Sequence, residues 1–155
     1  MLKYAFRFPN EDSAFTISDD IFGRVIDTID TDIAERHKMK LIVSELFMNA
    51  YLHGNNRDNS KSIDVEMEID SELFVVTVKD EGGGIAKERF KEMVASISAP
   101  EDESGRGITI VQRISDKIQL FKDSDDKFCI KATKKIKKQA KQPKKRKKKK
   151  SLEAV

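Results

Sequence analysis

Residues 62–69, SIDVEMEI, alternate without a break: Ile63, Val65, Met67 and Ile69 on one side, Asp64, Glu66 and Glu68 on the other. A period of two with one apolar side describes a strand that buries one face and wets the other. A second apolar run, LFVVTVK at 73–79, follows after only Asp70–Glu72, too short a link for anything but an antiparallel hairpin. The hairpin's apolar face must be covered, and residues 32–53 supply a cover. There Met39, Ile42, Val43, Leu46, Phe47 and Ala50 recur at helical spacing and form one apolar stripe. That helix is expected to stop at Gly54-Asn55-Asn56.

The remaining segments extend the same two layers. LKYAFRF at 2–8 alternates Leu2, Tyr4, Phe6 and Phe8 against Lys3, Ala5 and Arg7, a half-buried strand stopped by Pro9. Ile17, Ile21, Phe22, Val25, Ile26 and Ile29 predict a helix over 17–30, capped by Ser18 or Asp19. A short helix is expected at 86–97 and another at 107–116, with Ile108, Ile110, Val111 and Ile114 apolar. Two last strands, near 117–122 and 127–133, flank a turn at Asp123–Asp126. The order strand, helix, helix, hairpin, helix, helix, hairpin suits an α/β sandwich of the α+β kind, a mixed, mostly antiparallel sheet with helices on one face.

Charge divides the chain. Residues 134–150 hold 12 of the 30 Lys and Arg residues and no acidic one, whereas residues 1–133 hold 18 basic against 26 acidic residues, a net −8. An acidic domain over 1–133 with a basic tail over 134–155 follows, the tail being too poor in apolar residues and too self-repelling to fold alone. The tail's charge suits attraction to nucleic acid or anionic lipid, but it carries no aromatic residue for base stacking and reads equally as a plain solvated tail, so nucleic acid contact is not the expected role. No apolar run approaches the ~20 residues that span a bilayer, and the N-terminal MLKYAFRFPNED has no signal core, so no membrane is involved and a cytoplasmic location is expected. Cys129 is the only cysteine, which excludes an internal disulfide; within FCIKA it reads as a small apolar packing residue. His37 is expected to be exposed, and His53 to sit at a helix end, near the dipole or core. No His/Cys cluster has zinc spacing.

Three separated segments carry groups that a nucleotide site needs. Glu45 and Asn49 lie four apart, so both project from one side of the long helix. A carboxylate and an amide oxygen so placed suit a hard cation such as Mg²⁺, which leans on substrate phosphates to complete its shell. Taken alone, a plain boundary pair bonded to nearby backbone is the commoner arrangement. Asp80-Glu81-Gly82-Gly83-Gly84-Ile85 follows an apolar strand. Its glycines allow close approach of a ligand, and a strand-end carboxylate can accept from an exocyclic amine such as adenine N6. An ordinary glycine-rich turn reads the same in isolation, and Glu81 reads as a solvated turn residue. Ser104-Gly105-Arg106-Gly107-Ile108 opens a helix, where free N–H groups and the dipole favour phosphate. It is neither a Walker A loop nor a dinucleotide fingerprint.

Together, in this order, the segments resemble the GHKL ATPases. ELFMNAYLHGN (45–55) resembles the N-box, DEGGGI (80–85) the first glycine box and SGRGITIVQRISD (104–116) the second. The Gly-Arg-Gly box, short lid and compact length resemble the anti-sigma factor serine/threonine kinases of partner-switching systems. The resemblance implies the Bergerat-type ATP-binding fold and an ATP-dependent protein kinase. Glu45 would then be the general base, and Asn49 the Mg²⁺ ligand. Asp80 would recognise adenine, with Gly82, Gly84 and Ile85 shaping the pocket. Ser104, Gly105, Arg106 and Gly107 would hold the phosphates, under a lid over 86–104. The implied partners are a sigma factor, an anti-sigma factor antagonist as phosphorylation substrate, and a second copy in a homodimer. One departure stands out: where the superfamily often has a Gly-Thr box, this chain reads SDDKFCIKAT, and Thr133 reads as an ordinary strand residue. Competing readings are a nucleotide-gated anti-sigma adaptor without catalysis, and a histidine-kinase-type domain acting in trans. A phosphoacceptor helix with an H-E/D motif is absent from this sequence, which disfavours the last.

Overall fold

The computed structural model describes residues 1–83 and 106–139, with Arg106 described by its backbone alone. Five strands, β1 (Leu2–Pro9), β2 (Ser62–Ile69), β3 (Leu73–Asp80), β4 (Lys117–Lys122) and β5 (Phe128–Lys135), form one sheet in the order β1-β2-β3-β5-β4. Every neighbouring pair is antiparallel, so the sheet is antiparallel throughout its described part. The β2–β3 hairpin closes as its alternation requires, with Ile63 opposite Asp80 and Ile69 opposite Phe74. Asp70 makes the turn, its Oδ1 accepting from the amides of Glu72 and Leu73 at 2.8 Å each.

Among the described residues, three α-helices cover the apolar face: α1 (Ser13–Asp27), α2 (Ile33–Asn49) and α3 (Arg106–Ile114). Helix α2 is central, packing against α1, α3 and the inner faces of β3 and β5. Its stripe of Met39, Ile42, Val43, Leu46 and Phe47 is almost wholly buried against Ile63, Val65, Met67, Phe74 and Val76. Phe47 stands edge-on to Phe8, Phe15 and Phe22, and each such pair adds ~0.5–1.5 kcal/mol beyond its buried area. These rings lock α1 and β1 onto α2. Asp32 caps α2, its Oδ1 accepting from the Glu35 amide at 2.8 Å; such a cap stabilises a helix by ~1 kcal/mol.

Several boundaries differ from the sequence expectation. Helix α1 begins at Ser13, not near 17, and neither Ser18 nor Asp19 caps it; Asp12, at the cap position, makes no side-chain capping hydrogen bond. Ser18 is buried and donates to the Phe15 carbonyl, while Asp19 accepts from the Ser44 hydroxyl. Leu2, expected inward, is exposed. Helix α2 gives way at Asn49 to a single π-helical turn, Ala50–Gly54. The left-handed residues that end it are Asn56 and Arg57 (φ 51° and 57°), not Gly54. Strand β5 continues past 133 into the basic run: Lys134 is buried, and Thr31 Oγ1 donates to the Lys137 carbonyl. Thr133 is a strand residue, opposite Val75 and Lys117. The expected helix at 86–97 and the lid at 86–104 lie outside the described residues. Among the described residues, no helix is long and apolar enough to cross a membrane.

The other sheet face is a lattice of charges. Asp64 takes both Arg7, at 2.6 and 3.1 Å, and Lys127, at 2.8 Å. Lys79 lies beside Glu66 and Asp123. Cys129 is fully buried in β5, and burial pushes its thiol up to about 11. It lies outside the hydrophobic core, opposite Lys79 on the charged face rather than in the apolar packing its sequence suggests, and its Sγ donates to the Lys127 carbonyl.

Candidate functional site

Helix α2 and its terminal π-turn are where the separated segments meet. Glu45 and Asn49 project from one side of α2, Asn49 buried at 7% exposure. Burial raises the Glu45 carboxyl above its ordinary range. Helix α3 begins against this carboxylate. A β-carbon on Gly107 would overlap Glu45 Oε2 and stand 3.5 Å from its Cδ. The glycine therefore lets the first turn of α3 come down onto the glutamate, a juxtaposition that spacing alone does not reveal.

The π-turn makes the second meeting. Gly54 lies directly on Asp80, at the end of β3: a β-carbon there would overlap Oδ2 and come 2.9 Å from Asp80 Cβ. Gly82 in turn lies on the Gly54 carbonyl, with no space for a side chain between them. Its amide donates to Asp80 Oδ1 at 2.9 Å. Asp80 is 2% exposed, and burial pushes its carboxyl up to about 6, with the Gly82 N–H working in the opposite direction. π-turns place side chains and backbone out of α-helical register and recur at functional sites. Here the turn delivers a backbone carbonyl and a glycine Cα to the strand-end carboxylate.

Of the residues singled out in the sequence, Glu45, Asn49, Asp80, Gly82 and Gly107 are gathered around the C-terminal half of α2 and its extension. Arg106 is the first residue of α3. Gly84, Ile85, Ser104 and Gly105 lie outside the described residues. His53 is exposed on the π-turn and His37 is exposed on α2. Among the described residues, no group of three or more His, Cys, Asp and Glu could hold a metal ion.

Sequence reasoning missed the polar network behind the π-turn. Asn55 is fully buried. Its Oδ1 accepts from the Glu81 amide at 2.8 Å, and its Nδ2 donates to the Ser62 carbonyl at 2.8 Å and to Asn10 Oδ1 at 3.1 Å. Glu81 is exposed, as expected of a turn residue, and also accepts at Oε2 from the Ser62 amide at 2.6 Å. Asn next to Gly after a helix looks like a helix stop, and no local pattern distinguishes a stop from a tertiary hub.

Comparison with known proteins agrees with this architecture. The histidine kinase-like ATPase domain matches residues 14–134. The anti-sigma F factor of Clostridium perfringens is 31% identical over 109 residues, covering 70% of this chain and 78% of that protein. The anti-sigma F factor of Geobacillus thermodenitrificans is 33% identical over 91 residues, covering 58% of this chain and 62% of its own. A chain in the crystal structure of the SiaB–SiaC complex from Pseudomonas aeruginosa superposes with a TM-score of 0.56 at 15% identity. That match covers 86% of this chain and 89% of the other, a likeness of fold. An ATPase domain binds ATP, and the chain belongs to the histidine kinase-like ATPase family, within which it is similar to the anti-sigma F factors.

Proposed function

We propose that this protein is an ATP-dependent serine/threonine protein kinase and anti-sigma factor of a cytoplasmic partner-switching system, which phosphorylates an anti-sigma factor antagonist and sequesters a sigma factor, acting as a homodimer. Residues 1–133 would form the ATP-binding unit, and the basic run from 134 an appendage whose first residues extend β5. The observation that carries the reading is the seat of Glu45 against Gly107. It sets a carboxylate with a raised pKa at the first turn of α3, where backbone N–H groups favour phosphate.

The residues present fit a nucleotide and its metal. Asn49 offers a side-chain amide one helical turn from Glu45, and among the described residues no hydrogen bond from protein engages it. The close packing of Gly54 on Asp80 and of Gly82 on the Gly54 carbonyl holds the strand-end carboxylate in one place, as recognition of a base amine would require. Asn49 would ligate Mg²⁺, which when bound neutralises charge on the phosphates. Asp80 would accept from the adenine amine; Gly82, with Gly84 and Ile85, would bound the base. Ser104, Gly105, Arg106 and Gly107 would hold the phosphates. Glu45 would take the proton of the attacking serine hydroxyl. Its burial favours that role, because a raised pKa makes the carboxylate a stronger base.

Incubation of the full chain with Mg-[γ-³²P]ATP and candidate antagonist proteins tests the proposal. Acid-stable label on an antagonist serine or threonine is expected, lost with Glu45→Gln while ATP binding persists. Tight antagonist or sigma binding with ATP but no labelled product would make it a nucleotide-gated adaptor instead. Acid-labile label would point to histidine transfer.

A further inference from the structure

Beyond Asp80 the β2–β3 ladder ends, since Asp80 pairs with Ile63 and the next residue has no ladder partner. The chain nevertheless leaves β3 in a defined direction, because the Glu81 amide donates to Asn55 Oδ1 at 2.8 Å. Asn55 is itself held on every polar side. Its backbone amide donates to the Ala50 carbonyl at 2.7 Å, and both its Nδ2 bonds go to the β1–β2 end of the sheet, at Ser62 and Asn10. One fully buried side chain thus links three things: the end of the π-turn that follows Asn49, the edge of β2, and the first residue after Asp80. A buried amide with both donors and its acceptor engaged is rigid, because any rotation leaves polar atoms unpaired.

We infer that Asn55 is the positioning residue of the nucleobase side of the site, setting the aim of the Asp80 carboxylate and the path of Glu81 and Gly82 after it. The inference rests on the reading of Asp80 as the adenine acceptor. Asn55 touches no nucleotide in this scheme; it acts through Glu81 and Gly54, the residues flanking the carboxylate. Its loss should therefore change the choice of base more than the grip on phosphate.

The test is binding of ADP and of GDP to the full-length protein by calorimetry, for wild type, Asn55→Ala and Asn10→Ala. Asn10→Ala cuts the same buried network on its far side but leaves the Asn55–Glu81 bond in place. The inference expects Asn55→Ala to weaken ADP about tenfold with GDP little changed, as misdirecting the one hydrogen bond between Asp80 and the base amine would do. Asn10→Ala should lower the melting temperature and keep the ADP preference. An undiminished preference in Asn55→Ala overturns the inference alone. Equal binding of ADP and GDP by the wild type removes the adenine reading, and the inference with it. Should Asn55→Ala fail to fold, amide exchange at Glu81 in the wild type decides. Exchange slowed in the free protein and slowed further by ADP, not GDP, is expected; a Glu81 amide indifferent to ADP overturns the inference.

Discussion

Gly107 and Glu45 are packed so closely that any side chain on the glycine would occupy the position of the glutamate's Oε2. The obstructing atom is the end of a flexible side chain, so the fold can accommodate a methyl group by turning the carboxylate away. Alanine is also the better helix former, by ~0.8–1 kcal/mol. Gly107→Ala should therefore melt at or slightly above the wild-type temperature. Phosphotransfer should fall at least ~10-fold, because a general base acts only within hydrogen-bond reach of its proton; Glu45→Gln should cost ~10²–10⁴-fold. Labelled transfer assays beside thermal melts would separate these effects, and full transfer by Gly107→Ala would mean that the placement of Glu45 is immaterial.

Gly82 and Gly83 are neighbours with opposite constraints. A β-carbon on Gly82 would overlap the Gly54 carbonyl, a backbone atom with no rotamer to escape into, whereas one on Gly83 meets nothing within 4 Å. Gly82→Ala is expected to cost ~2–3 kcal/mol through forced backbone displacement. Gly83→Ala should stay within ~0.5 kcal/mol of wild type. Urea unfolding of the two variants, read side by side, checks this; equal midpoints would show that the Gly54–Gly82 contact yields freely.

What could be read from residues alone follows from how local the determinants are. Strand β2 was legible because one wet and one dry face impose a period of two on the sequence itself, and β3 because an apolar run follows after a link of three residues. Glu45 and Asn49 were legible as a pair because a helix puts such residues on one side. The start of α1 was not, since Asp12 is engaged by the hydroxyl of Tyr51, 39 residues away. Asn55 was read as part of a helix stop, yet its partner Glu81 lies 26 residues on. Gly54 and Gly107 likewise owe their identity to side chains that only the folded chain brings beside them. Lys134 looked like the first residue of a solvated tail because its neighbours are lysines, and its burial depends on a partner on another element.

That partner is Glu35, at 3.1 Å from Lys134 Nζ, with the two side chains 4% and 8% exposed. Burial alone would raise the Glu35 carboxyl, but the hydrogen bonds and charges of Lys38 and Lys134 outweigh it and hold the carboxyl below its usual range. Lys134 also donates to the Ile114 carbonyl, tying the ends of α3 and β5 to the start of α2. Lys134→Met should cost ~1.5–3 kcal/mol, since it leaves the buried Glu35 carboxylate with Lys38 as its one cation and strands part of its charge. The double variant Glu35→Leu/Lys134→Met should recover part of that loss. The depressed Glu35 pKa favours the folded state above the ordinary glutamate range, and that stability drains away as pH falls through the folded value. Lys134→Met should show a weaker acid dependence in melts. A double variant no more stable than the single one would refute the stranded-charge account.

Asp80 works in the reverse sense. Its carboxyl is raised from 3.8 to about 6 by burial, so between those values the folded protein binds a proton that the unfolded chain does not. The stabilisation this gives is complete below about 4 and is lost as pH rises through about 6, leaving the charged, desolvated carboxylate to cost ~3 kcal/mol at neutral pH. Asp80→Asn keeps the shape without the charge. It should raise stability at pH 7.5 by up to that amount, and the gain should vanish by pH 4. The same residue should lose its use as an acceptor for the adenine amine once protonated, so wild-type affinity for ADP should decline as pH falls through about 6. Asp80→Asn should bind ADP weakly and with no such decline. Chemical denaturation and calorimetry across pH 4–8 measure both effects. Glu35 and Asp80 are thus distinguished by sign: Glu35, paired, stabilises the fold when charged, while Asp80, with no ion-pair partner among the described residues, holds a destabilising charge at the place where the proposed ligand would compensate it. A variant as unstable as wild type at pH 7.5, or one that binds ADP undiminished, would contradict that division.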